Sequence, residues 1–348
     1  MISDVMELLE NEKMTRICAP MVRYSKLQFR TLVRRYNCDI CFTPMILADS
    51  FVQSSKARDI EFTTNQDDKP LIVQFAAKNA DDFVQAAEMI APYSNGVDLN
   101  CGCPQRWAMK EGYGAHLLKE PQVIKDLINQ VRNHIPKPFT VSVKIRLLKN
   151  LKEAVNICQT IEKAGASFLT IHARTPEMRN DPIDLESLKI LRDSVKIPVI
   201  ANGAVKTLDD ALHLTEESRC NGVMSAGGIL TNPTLFSGSN VTTINCIQDW
   251  LDITSAIPTS FLTFHHHLVF MLEKVVPKTE RKIFNVLQDE NSVLNFIEEY
   301  FNLTPNVNSN PYEITRCVYE SLPSKCAKNN DNLNDEGLSD LFLENLFD

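Results

Sequence analysis

The segment NCGCPQRWAMKEGYGA, Asn100 to Ala115, holds two cysteines one residue apart, a proline and three of the chain's 11 glycines. A thiol in such a loop has four uses: metal ligand, nucleophile, proton donor or small apolar filler. A second pair, Cys38 and Cys41 in CDIC, invites a zinc reading. CxxC joined to CxC departs from the paired CxxC or CxxC-with-histidine spacing of zinc sites, so no metal is expected. The run FHHHL (264–268) holds three consecutive histidines. On a helix these point in different directions and read as separate groups on a surface, facing solvent or phosphate. Polar residues also close several apolar runs. Gln74 ends LIVQ, Lys144 and Arg146 end VSVKIR, His172 and Arg174 end TIHAR, and Asn202 ends VIAN. A buried lysine is costly unless it meets a charge or a ligand. Several such groups converging on one opening point to a cofactor site.

The elements that must bring them together follow a regular alternation. Apolar, β-rich runs occupy 17–22, 40–46, 71–77, 96–101, 139–145, 167–173, 197–202 and 221–226. Continuous apolar runs suit parallel strands buried on both faces. Helical patterns lie between most of them: 81–93, 151–165 ending on Gly165 as C-cap, and 207–218 opened by Thr207 as N-cap. This α/β pattern predicts a (β/α)₈ TIM barrel. The rival, a doubly wound open sheet, lacks a GxGxxG after the first strand. In a barrel the loops after the strands share the C-terminal face, where active sites sit. Six glycines fall there: Gly102, Gly112, Gly114, Gly203, Gly227 and Gly228. ANGAV and SAGGIL, after strands seven and eight, read as a phosphate cradle of backbone N–H groups.

After residue 240 the pattern turns helical. The expected organisation is an N-terminal extension (1–16), a barrel (17–240), a small all-helical domain (241–303) and an acidic, Asn-rich, poorly ordered tail (304–348). The net charge of −8 argues mildly against nucleic acid, yet it is concentrated in that tail. A basic patch can still form, for instance from Arg23, Lys26, Arg30, Arg34 and Arg35. With 44% hydrophobic and 23% charged residues the class is globular. No stretch is long and apolar enough for a membrane span. The acidic start MISDVMELLENEKM resembles neither a secretory signal nor a mitochondrial presequence. Ten cysteines at this length fit free thiols in a reduced compartment, so a cytoplasmic or nuclear chain is expected.

APMV at the first run, QFAA at the third and NCGCP at the fourth, followed in order by VKIR, HAR and NG, resemble the tRNA-dihydrouridine synthases. The likeness spans about residues 17–300. APMVRYSKLQFRTLVR, EFTTNQ and NCGCPQRWAMKEGYGA resemble most the eukaryotic subgroup acting on uridines 20a and 20b. The resemblance implies a barrel that binds FMN, reduced by NADPH or NADH, and a helical domain that grips tRNA. It implies hydride transfer from the reduced flavin to C6 of a uracil in the D-loop, and a proton from Cys103 to C5. It places the backbone of Pro20, Met21 and Val22 along the flavin, Gln74 at the isoalloxazine edge, and Lys144 near N1/O2. It places His172 at the cofactor and substrate edge. Asn202, Gly203, Ala204, Ala226 and Gly227 would hold the phosphate. On this reading Cys103 is a thiol on a glycine-flanked hinge, protonated until its step, and Cys101 is packing.

Two positions depart from that pattern. Ala204 stands where the family usually has Asp, and Gly227 where it usually has Arg. Losing the Arg should weaken FMN by about 1.5–3 kcal/mol, one charged hydrogen bond. Two alternatives therefore stand beside the enzyme: a non-catalytic tRNA-binding relative with a weakened flavin site, and an FMN reductase of a free pyrimidine. A target uracil in folded RNA must be extruded to reach a barrel mouth. Arg23, Arg106, Lys110, Arg174, Arg179, Arg281 and Lys282 are candidates to meet its phosphates.

Overall fold

The computed structural model describes residues 4–306, except 12 and 180, together with residues 312–318. Eight parallel strands form the barrel: β1 (Thr15–Cys18), β2 (Ile40–Phe42), β3 (Leu71–Ala76), β4 (Gly96–Cys101), β5 (Thr140–Arg146), β6 (Phe168–His172), β7 (Val199–Asn202) and β8 (Gly222–Ser225). Each pairs with the next, and β8 returns to β1, with Ile17 opposite Met224. The ring therefore closes, which excludes the open doubly wound sheet. A two-residue strand, Ile46–Leu47, adds to the end of β3.

The strands match the expected runs, with two differences. The first run stops pairing at Cys18, so Pro20, Met21 and Val22 belong to the loop beyond β1. The second breaks at Thr43–Met45, where Thr43 Oγ1 turns to accept the Gln74 backbone N–H at 3.1 Å. Helix starts follow their caps. Thr207 and Asp210 form a reciprocal capping box at the start of Leu208–Ser218. Asn150 accepts two N–H groups ahead of Leu151–Lys163. Gly165, at φ +95°, follows the end of that helix, in a backbone region that favours glycine.

Residues 1–16 were expected to be an extension outside the barrel. The helix Val5–Glu10 lies there, but β1 already begins at Thr15. Thr15 Oγ1 donates to the Leu8 carbonyl, and the Asn221 amide donates to Leu9 O. Four further helices follow the barrel: Ile244–Ala256, Phe261–Met271, Lys278–Phe284 and Glu290–Phe301.

Two surface expectations are corrected. The FHHHL histidines are not a solvent-facing set. His267 is fully buried, stacks on Phe29 at 4.6 Å, and its Nε2 lies 3.2 Å from the Tyr24 carbonyl. His265 is buried against Phe284 and bonds its carbonyl at 2.9 Å, while His266 meets the Tyr24 hydroxyl at 3.3 Å. His266 and His267 join the helical region to the segment after β1. The reason is pattern: Phe264, Leu268 and Met271 share the buried side of that helix with His265 and His267.

Four of the five residues of the basic cluster, Lys26, Arg30, Arg34 and Arg35, are likewise spent on structure. Arg30 and Arg34 both bind the buried carboxylate of Asp68, at 2.7 and 3.2 Å, and Thr64 donates to it. Lys26 pairs with Glu61 and Arg35 with Asp249. Nor is the segment after 304 uniformly loose. Thr315–Arg316 pairs antiparallel with Thr63–Thr64, Cys317 is buried, and the Tyr312 hydroxyl accepts from Arg35 at 2.6 Å. The expected tail beyond residue 318 lies outside the described residues.

Candidate active site

The C-terminal ends of the strands gather the polar groups. Gln74 stands opposite Asp98, Asn100 opposite Lys144, and Arg146, His172 and Asn202 are consecutive register neighbours on β5, β6 and β7. The chain brings together at one mouth Gln74, Cys103, Lys144, His172 and Asn202, which lie far apart in sequence.

Cys103 follows β4 and is half-buried, whereas the other described cysteines are buried. Its backbone is held at both ends. Its N–H donates to Asn100 Oδ1 at 2.9 Å, and its carbonyl accepts from Ala115 N–H at 2.9 Å. Gly114, at φ +63°, presses so closely that an added Cβ would lie 2.6 Å from the Cys103 carbonyl oxygen. The expected glycine hinge is therefore a clamp: glycine is needed here for close approach and positive φ, not for swing. Burial pushes the Cys103 thiol up, against smaller opposing pulls from the Gln105 backbone, Arg146 and Lys144. The thiol stays protonated at neutral pH. Cys101 is fully buried, and its thiol is pushed far up by burial. Cys38 and Cys41 sit in the core with sulfurs 3.8 Å apart. Among the described residues no group of three or more His, Cys, Asp or Glu is placed to hold a metal.

Lys144 is half-buried at the mouth. Burial and the neighbouring Arg146 push its ammonium down to about 8, against the pull of Asp98 and Cys103. Arg146 is buried and donates to the Thr175 and Met178 carbonyls, so it braces the loop after β6. His172 is buried beside Lys144, Arg146 and Arg174. Burial first, then those three cations, push its imidazole far below its ordinary value, so it is neutral. Its Nε2 lies 3.4 Å from Arg174 Nη1 and can accept from that guanidinium.

The loops after β7 and β8 form a backbone shelf. Gly203 and Ala204 have φ of +124° and +58°. Ala226 and Gly227 are half-buried where the short helix Gly227–Thr231 begins, and first-turn amides have no helical acceptor. The Asn202 amide NH₂ is already given to the Met224 carbonyl, so this side chain ties together the ends of β7 and β8 from which the two loops leave. Gly228 serves packing: an added Cβ would meet the Val205 carbonyl at 2.1 Å. After β1, the Met21 N–H is accepted by Ser25 Oγ and its carbonyl is also engaged. Pro20 and Val22 flank it half-exposed.

Asp98, Asn100 and Ser142 belong to the site and were missed in the sequence. Gln74 Nε2 donates to Asp98 Oδ2 at 2.8 Å, Ser142 donates to Asp98 Oδ1 at 2.6 Å, and Asn100 Nδ2 donates to Gln74 Oε1 at 2.9 Å. Burial raises the Asp98 carboxyl to about 6, against Ser142, Gln74 and Lys144. The available signal was alternation: Asp98 and Asn100 are two apart on one strand and face the same side. Thr170 Oγ1, opposite Lys144 in register, is buried with no hydrogen-bond partner among the described residues.

The dihydrouridine synthase family model matches residues 17–305. The chain belongs to the dihydrouridine synthase family. A human relative, named as a tRNA-dihydrouridine(20a/20b) synthase-like protein of the NAD(P)+ type, is 47% identical over 301 residues, covering 86% of this chain and 95% of its own. The Schizosaccharomyces pombe tRNA-dihydrouridine(20a/20b) synthase is 40% identical, covering 85% and 91%. Among solved structures, histamine dehydrogenase from Rhizobium sp. 4-9 superposes with TM-score 0.50 at 9% identity, over 69% of this chain and 49% of that one. That likeness concerns the barrel fold alone. The family match runs through the four helices after β8, so they are part of what this dihydrouridine synthase family member shares with its relatives.

Proposed function

We propose that this chain is an NAD(P)H-dependent flavin oxidoreductase that reduces specific D-loop uridines of tRNA to 5,6-dihydrouridine. The observation that carries the reading is the meeting of a protonated thiol, Cys103, with Lys144 and neutral His172 at the barrel mouth of a family member. FMN is the cofactor the residues fit. The backbone shelf at Gly203, Ala204, Ala226 and Gly227 suits a phosphate, and the Lys144 cation with the orphaned Thr170 hydroxyl suits a polar ring edge. When bound, FMN supplies the hydride chemistry, with NADPH or NADH as reductant.

The protein's own part is positional and protic. Cys103 holds a proton for C5 of the uracil, because burial keeps the thiol above neutral pH until the base accepts it. Lys144, charged below about pH 8, stabilises negative charge developing at the mouth. His172 hydrogen-bonds as a neutral ring. Gln74, whose amide ends are both engaged by Asp98 and Asn100, shapes the floor of the site. Pro20, Met21 and Val22 form its wall beyond β1, and Asn202 fixes the shelf.

The target base must leave its stack to enter. Arg106, Lys110, Arg179 and Lys282 are exposed and Arg23, Arg174 and Arg281 half-buried, which leaves them as the candidates to meet the phosphates. Trp107, 36% exposed beside Cys103's loop, offers a face for a flanking base. The test is purified protein with FMN, NADPH and unmodified tRNA, followed by mass mapping of D-loop uridines. A gain of two hydrogens at one of them is expected. Protein that stays colourless with FMN yet binds tRNA, or that reduces free uracil and not tRNA, overturns the proposal.

A further inference from the structure

Five hydrogen bonds run from the barrel floor to the Cys103 loop, and their polarity is set from both ends. At the floor, the ionised Asp98 side chain can only accept. It takes Ser142 Oγ–H at 2.6 Å on Oδ1 and Gln74 Nε2–H at 2.8 Å on Oδ2. That turns Gln74 Oε1 toward Asn100, whose Nδ2 donates to it at 2.9 Å. Asn100 Oδ1 is thereby left facing the loop, where the backbone N–H groups of Gly102 and Cys103 donate to it at 3.1 and 2.9 Å. Both amides are buried, so neither can turn over without leaving like groups face to face.

We propose that Asp98 is a positioning residue for Cys103, acting through the amide orientations of Gln74 and Asn100. Asp98 touches neither the thiol nor its loop. It acts by fixing which end of each amide faces upward. Calling it a positioning residue rests on proton donation by Cys103; the relay itself stands on the hydrogen bonds.

The direction of the relay can be reversed. In Asp98→Asn the new amide can still accept from Gln74 while donating to Ser142, so the relay survives. In Asn100→Asp the new carboxylate still accepts from the loop but faces Gln74 Oε1, and any flip of Gln74 moves the clash down to Asp98. In the double variant the conflict disappears. The new amide at 98 donates to Gln74 Oε1, Gln74 Nε2 donates to the new carboxylate at 100, and the loop N–H groups keep their acceptor.

The experiment measures the alkylation rate of Cys103 by iodoacetamide, resolved by peptide mass, together with the thermal midpoint. Neither needs tRNA, so failure of wild-type protein to reduce uridine would sink the proposed function and leave this test standing. Asp98→Asn should stay within about twofold of wild type, and Asn100→Asp should change the rate by about fivefold or more. Asp98→Asn/Asn100→Asp should return it to within about twofold, the non-additivity of coupled sites. If Asn100→Asp does not fold, recovery of folded protein in the double variant is the same supporting result. A double variant no better than Asn100→Asp overturns the relay. So does an Asp98→Asn variant as impaired as Asn100→Asp, which would show that charge rather than amide orientation matters.

Discussion

Gly114→Ala tests the clamp on Cys103 against a built-in control. At Gly114 the backbone is at φ +63°, and the added methyl would lie 2.6 Å from the Cys103 carbonyl oxygen and 2.9 Å from its Cβ. The left-handed backbone costs an alanine about 1–2 kcal/mol. Forcing a methyl into a packed contact adds about 1–3 kcal/mol. Gly112, two residues earlier, is at φ +87°, but its nearest neighbour would be Lys78 Cδ at 3.9 Å. Gly112→Ala therefore carries the backbone cost alone, about 1–2 kcal/mol. Urea denaturation should separate the two variants by about 1–3 kcal/mol, the contact contribution. Uridine reduction under saturating tRNA should separate them further, because a displacement of about 1 Å at a reacting group costs up to about a hundredfold. Gly112→Ala should keep most of its rate. Equal stability and equal turnover in the two variants would refute the clamp and restore the hinge.

Lys144 loses its charge at about pH 8, before the Cys103 thiol, so it sets the alkaline limb of the turnover–pH profile; Lys144→Arg should move that limb upward by a unit or more, whatever it does to the maximum rate. His267 is fully buried and held down to about 3. The unfolded chain takes up this proton between about pH 6.5 and 3 and the folded chain does not. Acidification therefore removes stability there, by about 1.4 kcal/mol per pH unit from this group. His267→Leu should show a correspondingly shallower acid slope in denaturation series. Asp68→Asn leaves the buried Arg30 without its counter-charge and should cost about 3–5 kcal/mol in urea unfolding.

The barrel was legible because its signal is repetitive: eight apolar runs, each buried on both faces, leave few alternatives. The strand-end residues Gln74, Lys144, His172 and Asn202 were legible for a related reason, since a polar group closing such a run is anomalous. Asp98 was not, because an aspartate inside GVDLNC shows its partners Gln74 and Ser142 only once β3, β4 and β5 are side by side. The basic residues misled. Arg30 and Arg34 look like a patch in sequence, and their partner Asp68 is more than thirty positions away. The histidines misled in the opposite sense: their polarity suggested surface, while Tyr24 and Phe284 carbonyls satisfy two of them in the core. The role of Gly114 needed the tertiary approach of Cys103, which spacing alone does not encode.

The chain beyond the last helix comes back to the barrel and adds a strand beside Thr63–Thr64, while Arg35 joins Asp249 of the helical region to Tyr312. The four-helix unit is thus moored at both of its chain ends. A body fastened that way resists opening like a lid and moves with the barrel as one piece.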